Sequence, residues 1–144
     1  PLTNKKNAFQ EMKESDFSEG SALNSFGEKY DFEGEKFNPK IKYSLFGTTI
    51  NYFLESSILE IPDYIKIDVD GIEHLILEGG NNFLNNKKIK SLSVEINENF
   101  SEHCKKVLDL MKEYNFKILH KKHNEKNFSS ESKFSKTFNY VFIR

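Results

Sequence analysis

Tryptophan is absent from the 144 residues, and arginine occurs once, as Arg144, against twenty lysines. A site that needs bidentate guanidinium clamps on phosphate or guanine has no residues to build it from. Cysteine also occurs once, as Cys104, so an intrachain disulfide or a cysteine zinc cluster is excluded and a reducing cytoplasm is the simplest compartment. No run approaches the ~20 apolar residues of a membrane span, and no secretory signal is present. The formal net charge of −1 gives no global attraction to nucleic acid or to an anionic membrane. No initiator precedes Met12, so the chain reads either as processed at Pro1 or as a piece of something longer.

What is present is material for one domain: 37% apolar residues, 30% charged residues, and fourteen phenylalanines to supply core bulk. The chain is organised around IPDYIKIDVDGIEHLILEGG, from Ile61 to Gly80. Tyr64, Ile65 and Ile67 form a short apolar run ending in Asp68, Asp70 and Gly71. The period then changes, with Ile72, Leu75, Ile76 and Gly79 spaced as one helix face. The pattern predicts strand, sharp turn, helix. Side chains just past the carboxyl end of such a strand project into the ligand crevice of an open α/β sheet. Glu73, on the first helical turn, would join Asp68 and Asp70 there.

Residues 1–40 are polar and punctuated by glycine, with short strands expected at Ala8–Lys13 and Ser21–Phe26. Ile41, Tyr43 and Leu45 alternate with polar residues and predict a strand over Lys40–Phe46. Thr48 or Thr49 would cap a helix running through Ile58. After the central stretch, Asn81–Lys88 reads as a polar connection with a helical turn. Ile89–Glu98 reads as a second buried strand ending in Glu95, Asn97 and Glu98. Ser101 would cap a helix with Cys104, Val107, Leu108 and Met111 as its apolar stripe, stopped at Asn115. Strands at Phe116–His120 and Thr137–Ile143, joined by the loop from His123 to Lys136, favour an antiparallel pair.

Carboxylates after a strand often do no more than cap the next helix. Three within six residues, joined by Glu95 at the end of the following strand, point further, since neighbouring carboxylates repel unless a metal, a hydroxyl or a cation engages them. Asp68-Val69-Asp70-Gly71 approaches the opening motif of haloacid-dehalogenase phosphatases, but Ile72 replaces the usual threonine and no Asp-Asp pair follows downstream. An EF-hand loop fails because Lys66 would fall at the first ligand position. Asp68 and Asp70 also spell the Asp-x-Asp of metal-dependent glycosyltransferases. The four histidines lack metal-ligand spacing and read as packed or solvated, and Cys104 reads as core. Lys87, Lys88 and Lys90 read as a solvated basic loop. Asn99-Phe100-Ser101 and Asn127-Phe128-Ser129 match glycosylation acceptors, which carry no meaning in the cytoplasm.

IKIDVDGIEHLILEGG, followed about twenty residues later by SLSVEINE, resembles the FkbM-type S-adenosylmethionine-dependent methyltransferases. Lys66, Asp68, Gly71, Glu73, Leu77, Gly79 and Glu95 match that pattern; Asp70 replaces its usual glutamate and Ile72 its alanine. The resemblance is strongest over residues 41–98 and extends to 144. It implies a Rossmann-like α/β fold: a mostly parallel methyltransferase sheet with a C-terminal antiparallel pair, within a single domain spanning 1–144. Residues 1–40 would be a hairpin-rich insertion and 41–144 the C-terminal half of that fold. The family holds its cofactor largely in a Gly-rich loop, and this chain has no G-x-G-x-x-G, so it is expected to be the C-terminal part of a methyltransferase. Which residues hold the cofactor stays open.

The resemblance implies an O-methyltransferase that moves a methyl group from S-adenosylmethionine to a hydroxyl of a sugar or small metabolite. Asp68 would be the base or a metal ligand, and Glu73 would orient it or touch the substrate. Asp70, Glu95 and Asn97 would contact substrate, and Glu95 and Asn97 would be placed to complete a Mg²⁺ site. The strand over Asp63–Asp68 would have an open edge, filled by Lys40–Phe46, by a second copy of the chain or by a missing segment. Two other readings stay open: a non-catalytic α/β interaction module and a glycosyltransferase fragment using Asp68 and Asp70.

Overall fold

The computed structural model describes residues 1–20, 22–123 and 132–144. Strands β1 (Ala8–Glu14), β2 (Ser25–Phe26) and β3 (Ile41–Gly47) form an antiparallel sheet in the order β2-β1-β3. A second sheet takes β4 (Tyr64–Ile67), β5 (Ser91–Asn97), β6 (Lys117–Lys122) and β7 (Thr137–Ile143) in the order β4-β5-β7-β6. Four helices intervene: α1 (Ile50–Glu55), α2 (Glu73–Glu78), α3 (Asn81–Leu84) and α4 (Ser101–Glu113).

The mixed α/β class stands, but the sheet is not mostly parallel. Only β4 and β5 pair in parallel; β7 runs antiparallel to both β5 and β6. A parallel neighbour needs a long crossover. The α2–α3 segment supplies one between β4 and β5, and β7 inserts beside β5.

Most elements sit where periodicity put them. Thr49 caps α1, its Oγ1 accepting from the Tyr52 N–H at 3.1 Å. That helix stops at Glu55, short of Ile58, because Ser57 turns left-handed at φ 54°. Asn115 stops α4 with φ 61°, and the Phe116 N–H reaches back to the Met111 carbonyl at 2.8 Å. Ser101 is not the cap of α4. Phe100 takes that position without a side-chain cap, and its ring packs on Tyr30 and His103 instead. The strand expected from Ser21 shrinks to β2, because Leu23 adopts φ 64°; Ser21 itself and residues 124–131, with the Asn127 acceptor motif and much of the expected loop, lie outside the described residues.

The core gathers where α2, α4 and β5 meet, with Leu77, Leu92, Ile96, Val107, Met111 and Phe142 all buried. One face of β5 feeds it through Leu92, Val94 and Ile96, while Ser91, Ser93 and Glu95 point to the other face, only half-buried. No helix among the described residues is long and apolar enough to cross a membrane.

The β4 edge is not covered by Lys40–Phe46. That stretch forms β3 and pairs along its whole length with β1, from Ala8 opposite Gly47 to Glu14 opposite Ile41. β4 therefore has β5 on one side and, on the other, a hollow of about 270 Å³ walled by Ile50, Ile65 and Ile67.

Gly71 fixes the turn that aims the acids. Its φ is +91°, and a Cβ there would stand 2.9 Å from the Phe32 Cα. Gly71→Ala is expected to lower stability by about 2 kcal/mol or more, summing left-handed strain and the clash. Urea unfolding measures this, and an unchanged midpoint would contradict the placement.

Candidate active site

The parallel register determines what meets at the carboxyl ends of β4 and β5. Its last partners are Ile67 and Val94, so Asp68 and Glu95 stand one residue further on, side by side. The two carboxyls interact, and the Glu95 carboxyl is pushed up from an ordinary 4.5 to about 7. Burial is the largest cause, followed by the negative charges of Asp68 and Glu73, with Lys66 pulling weakly the other way. Near neutrality Glu95 can hold a proton and donate it to Asp68.

The other predicted residues gather around this pair. Asp68 has Lys66 Nζ at 2.5 Å from its Oδ2, an ion pair exposed enough to contribute little stability. Asp70 accepts from the Asn24 N–H at 3.0 Å and also from the Leu23 backbone. Burial nevertheless holds its carboxyl above the usual carboxylate range, those two backbone bonds opposing. Glu73 is buried at the start of α2, its Oε1 accepting from the Val69 N–H at 3.2 Å. Asn97 spends both ends of its amide on structure: Nδ2 donates to the Phe32 carbonyl at 3.1 Å, and Oδ1 accepts from the Asn99 N–H at 3.0 Å.

A small cavity of about 30 Å³ brings Asp70, Glu73, Glu95 and Asn97 together beneath Phe32 and Phe134. It has room for a water molecule or two and for little else. A larger hollow of about 360 Å³ shares Val69 and Asp70 with it and opens on Asp68. Its remaining walls include Met12 and Phe26 from the first sheet and Ile72 and Ile76 from the α2 segment. Carboxylates at one end and apolar walls around them suit a small, hydroxyl-bearing molecule.

His103 escaped sequence reasoning as a site residue. It lies on the first turn of α4, 1% exposed at its side chain, with Nε2 at 2.7 Å from Glu73 Oε2. The approach is close, yet its direction falls short of a hydrogen bond, leaving both atoms without a well-directed partner. His74 packs edge-on against it, and burial, then the His103 charge, lowers the His74 imidazole from 6.5 to about 4. That neutral state stabilises the fold above about 6.5 and is lost as pH falls toward 4. A glutamate and a histidine on the first turns of two helices were the available signal, but nothing in the spacing said that the helices pack together.

The Mg²⁺ expectation finds no support. Among the described residues no group of three or more His, Cys, Asp or Glu side chains is arranged to hold a metal ion. The reason is visible in the partners: Asp68 turns to Lys66 and Glu95, and Glu73 to the Val69 amide and His103, so the oxygens do not converge on a common point. A cofactor cradle is likewise not supplied, since no strand among the described residues is followed by a glycine-rich turn.

The folded state holds the Glu95 proton up to about pH 7, whereas an unfolded glutamate releases it near 4.5. Between those values the folded state binds more protons, so Glu95 makes stability fall as pH rises through the interval. Glu95→Gln is expected to flatten that fall and to be more stable than the parent above about pH 7. Urea unfolding across the range checks it; a parallel pair of stability curves would contradict the shift.

Comparison with known proteins gives the family. The model of the Methyltransferase FkbM domain matches residues 7–118, which takes in the first sheet, β4, β5, Asp68, Glu73, Glu95 and Asn97 and stops at the start of β6. No curated protein and no solved structure shows a match. With most of its length matched, the chain belongs to the FkbM methyltransferase domain family.

Proposed function

We propose that this domain is the acceptor-side half of an S-adenosylmethionine-dependent O-methyltransferase, acting in the cytoplasm on a hydroxyl of a sugar or small metabolite. The observation that carries the reading is Asp68, beside Glu95 at the ends of β4 and β5, opening on a hollow of about 360 Å³ in a chain of this family. S-adenosylmethionine, when bound, supplies the methyl group. What the domain's own residues supply is a place for the hydroxyl's proton and a wall that orients the acceptor.

Asp68 is the base in this reading. It opens on the hollow, while Glu95 behind it sets the charge of the pair. A base is most effective when its pKa lies near the working pH, and a positioned one contributes typically ~10²–10⁴-fold. With Glu95 releasing its proton at about 7, the pair gains its second negative charge there, so transfer should rise through that pH. Asp70 and the apolar walls hold the acceptor. Glu73 and Asn97 serve by fixing the turn and the N-terminal segment.

The same reading assigns the open β4 edge. An unpaired apolar strand edge is a template for another strand. We propose that it receives either a segment carrying the glycine-rich cofactor turn, completing a Rossmann-like sheet, or a second copy of the chain. A competing reading, a non-catalytic interaction module, draws on the partners that Asp70, Glu73 and Asn97 already have within the protein.

The two readings separate in one assay. In the protein that carries this domain, transfer of labelled methyl to a panel of sugar and polyol hydroxyls is expected. Asp68→Asn should reduce it by about 10²-fold or more with unchanged fold, and Glu95→Gln should abolish the rise near pH 7. Full activity of Asp68→Asn would remove the base and with it this assignment.

A further inference from the structure

A hollow of about 540 Å³ lies away from Asp68, Asp70, Glu73 and Glu95, against the first sheet. Residues alternate along β1, and they divide the two sites. Met12 faces the hollow with Asp68, whereas Glu11 and Lys13 face this one.

Four lysines line it: Lys13 and Lys42, directly opposite each other across the β1–β3 pair, and Lys29 and Lys36 from a hairpin over residues 29–37. The hairpin is fixed by the Phe37 N–H to the Lys29 carbonyl at 3.0 Å, the Asp31 N–H to the Glu35 carbonyl at 2.8 Å and a bridge between Tyr30 and Lys36. Like charges facing one another across a ladder oppose folding unless something neutralises them. Among the described residues only Glu11 does so, with its Oε1 at 3.5 Å from Lys13 Nζ and 3.8 Å from Lys42 Nζ, while Lys13 Nζ also donates to the Glu28 carbonyl. Glu28, just before the hairpin, and Asp31, Glu33 and Glu35 within it do not line the hollow, and Lys29 and Lys36 make no ion pair among the described residues. A chain of net charge −1 thus concentrates a local excess of three positive charges in one concave place.

The walls add a second requirement. Tyr30 and Phe37, both half-buried, present aromatic surface beside the ammonium groups. The volume falls within the roughly 300–1,000 Å³ of small-molecule sites. Lysine acts on phosphate as a point charge and needs no guanidinium fork.

We propose that this hollow binds a phosphorylated small molecule of the nucleotide type, its phosphates among Lys13, Lys29, Lys36 and Lys42 and its ring against Tyr30 and Phe37. The site stands apart from the methyl-transfer reading and does not depend on it. An extended polyanion would need a basic stripe reaching beyond the hollow, and the chain's slightly negative balance does not favour one.

Calorimetric titration of the full chain at fixed low ionic strength tests this, with inorganic pyrophosphate and uridine diphosphate as probes. Both should bind saturably at one site, uridine diphosphate more tightly. Lys29→Gln with Lys36→Gln, both exposed and remote from the core, should weaken both probes about tenfold or more without changing the unfolding midpoint. Phe37→Leu should weaken uridine diphosphate while sparing pyrophosphate. Non-saturable heats, undiminished binding by the double lysine variant, or tighter binding of a single-stranded RNA than of uridine diphosphate would overturn the proposal.

Discussion

The parallel pairing of β4 with β5 is the constraint on which the site depends. A shift of one residue along that ladder would exchange the faces, carrying Ile67 outward and Lys66 into the core. The apolar side chains Ile67, Leu92, Val94 and Ile96 forbid it, since all four are buried on the helix side. The same register that satisfies the core therefore leaves Asp68 and Glu95 side by side on leaving the sheet. Hydrophobic burial, which knows nothing of carboxylates, thus places two of them side by side.

The first sheet closes what the second opens. Its segments reach the site through polar bonds: the Asn24 amide to Asp70, the Phe32 carbonyl to Asn97, and close backbone contact between Phe32 and Gly71. Met12 and Phe26 then form the apolar side of the hollow. The polar N-terminal segment is thus a wall of the site, and its cohesion with the rest rests on a few hydrogen bonds and the small cluster of Phe26, Ile72 and Leu75.

Legibility from sequence followed the reach of the interactions. Local signals were readable: the change of period at Gly71, the Thr49 cap, the Asn115 stop, the alternation in β3 and β7. The gathering of Asp68, Asp70, Glu73 and Glu95 was readable too, because a strand end and a helix start are adjacent in sequence and β5 is the next strand. What sequence could not show was partner choice. β3 had the alternation of an edge strand but nothing to say that β1, not β4, would receive it. β5 read as a buried strand, yet Ser91, Ser93 and Glu95 on one of its faces are only half-buried. His103 joins Glu73 only through the packing of α4 on α2, a contact between elements some thirty residues apart.

On the proposed reading Glu95 and Asp68 hold one proton between them near neutrality. Following the Glu95 side-chain carboxyl by NMR across pH, in the parent chain and in Asp68→Asn, addresses that claim most directly. A midpoint near 7 in the parent, moving part of the way down toward 4.5 when Asp68 loses its charge while burial and Glu73 still hold it up, is the expected result. A parent midpoint already near 4.5, unmoved by the substitution, would mean that the two carboxyls do not meet and that the site has been misread.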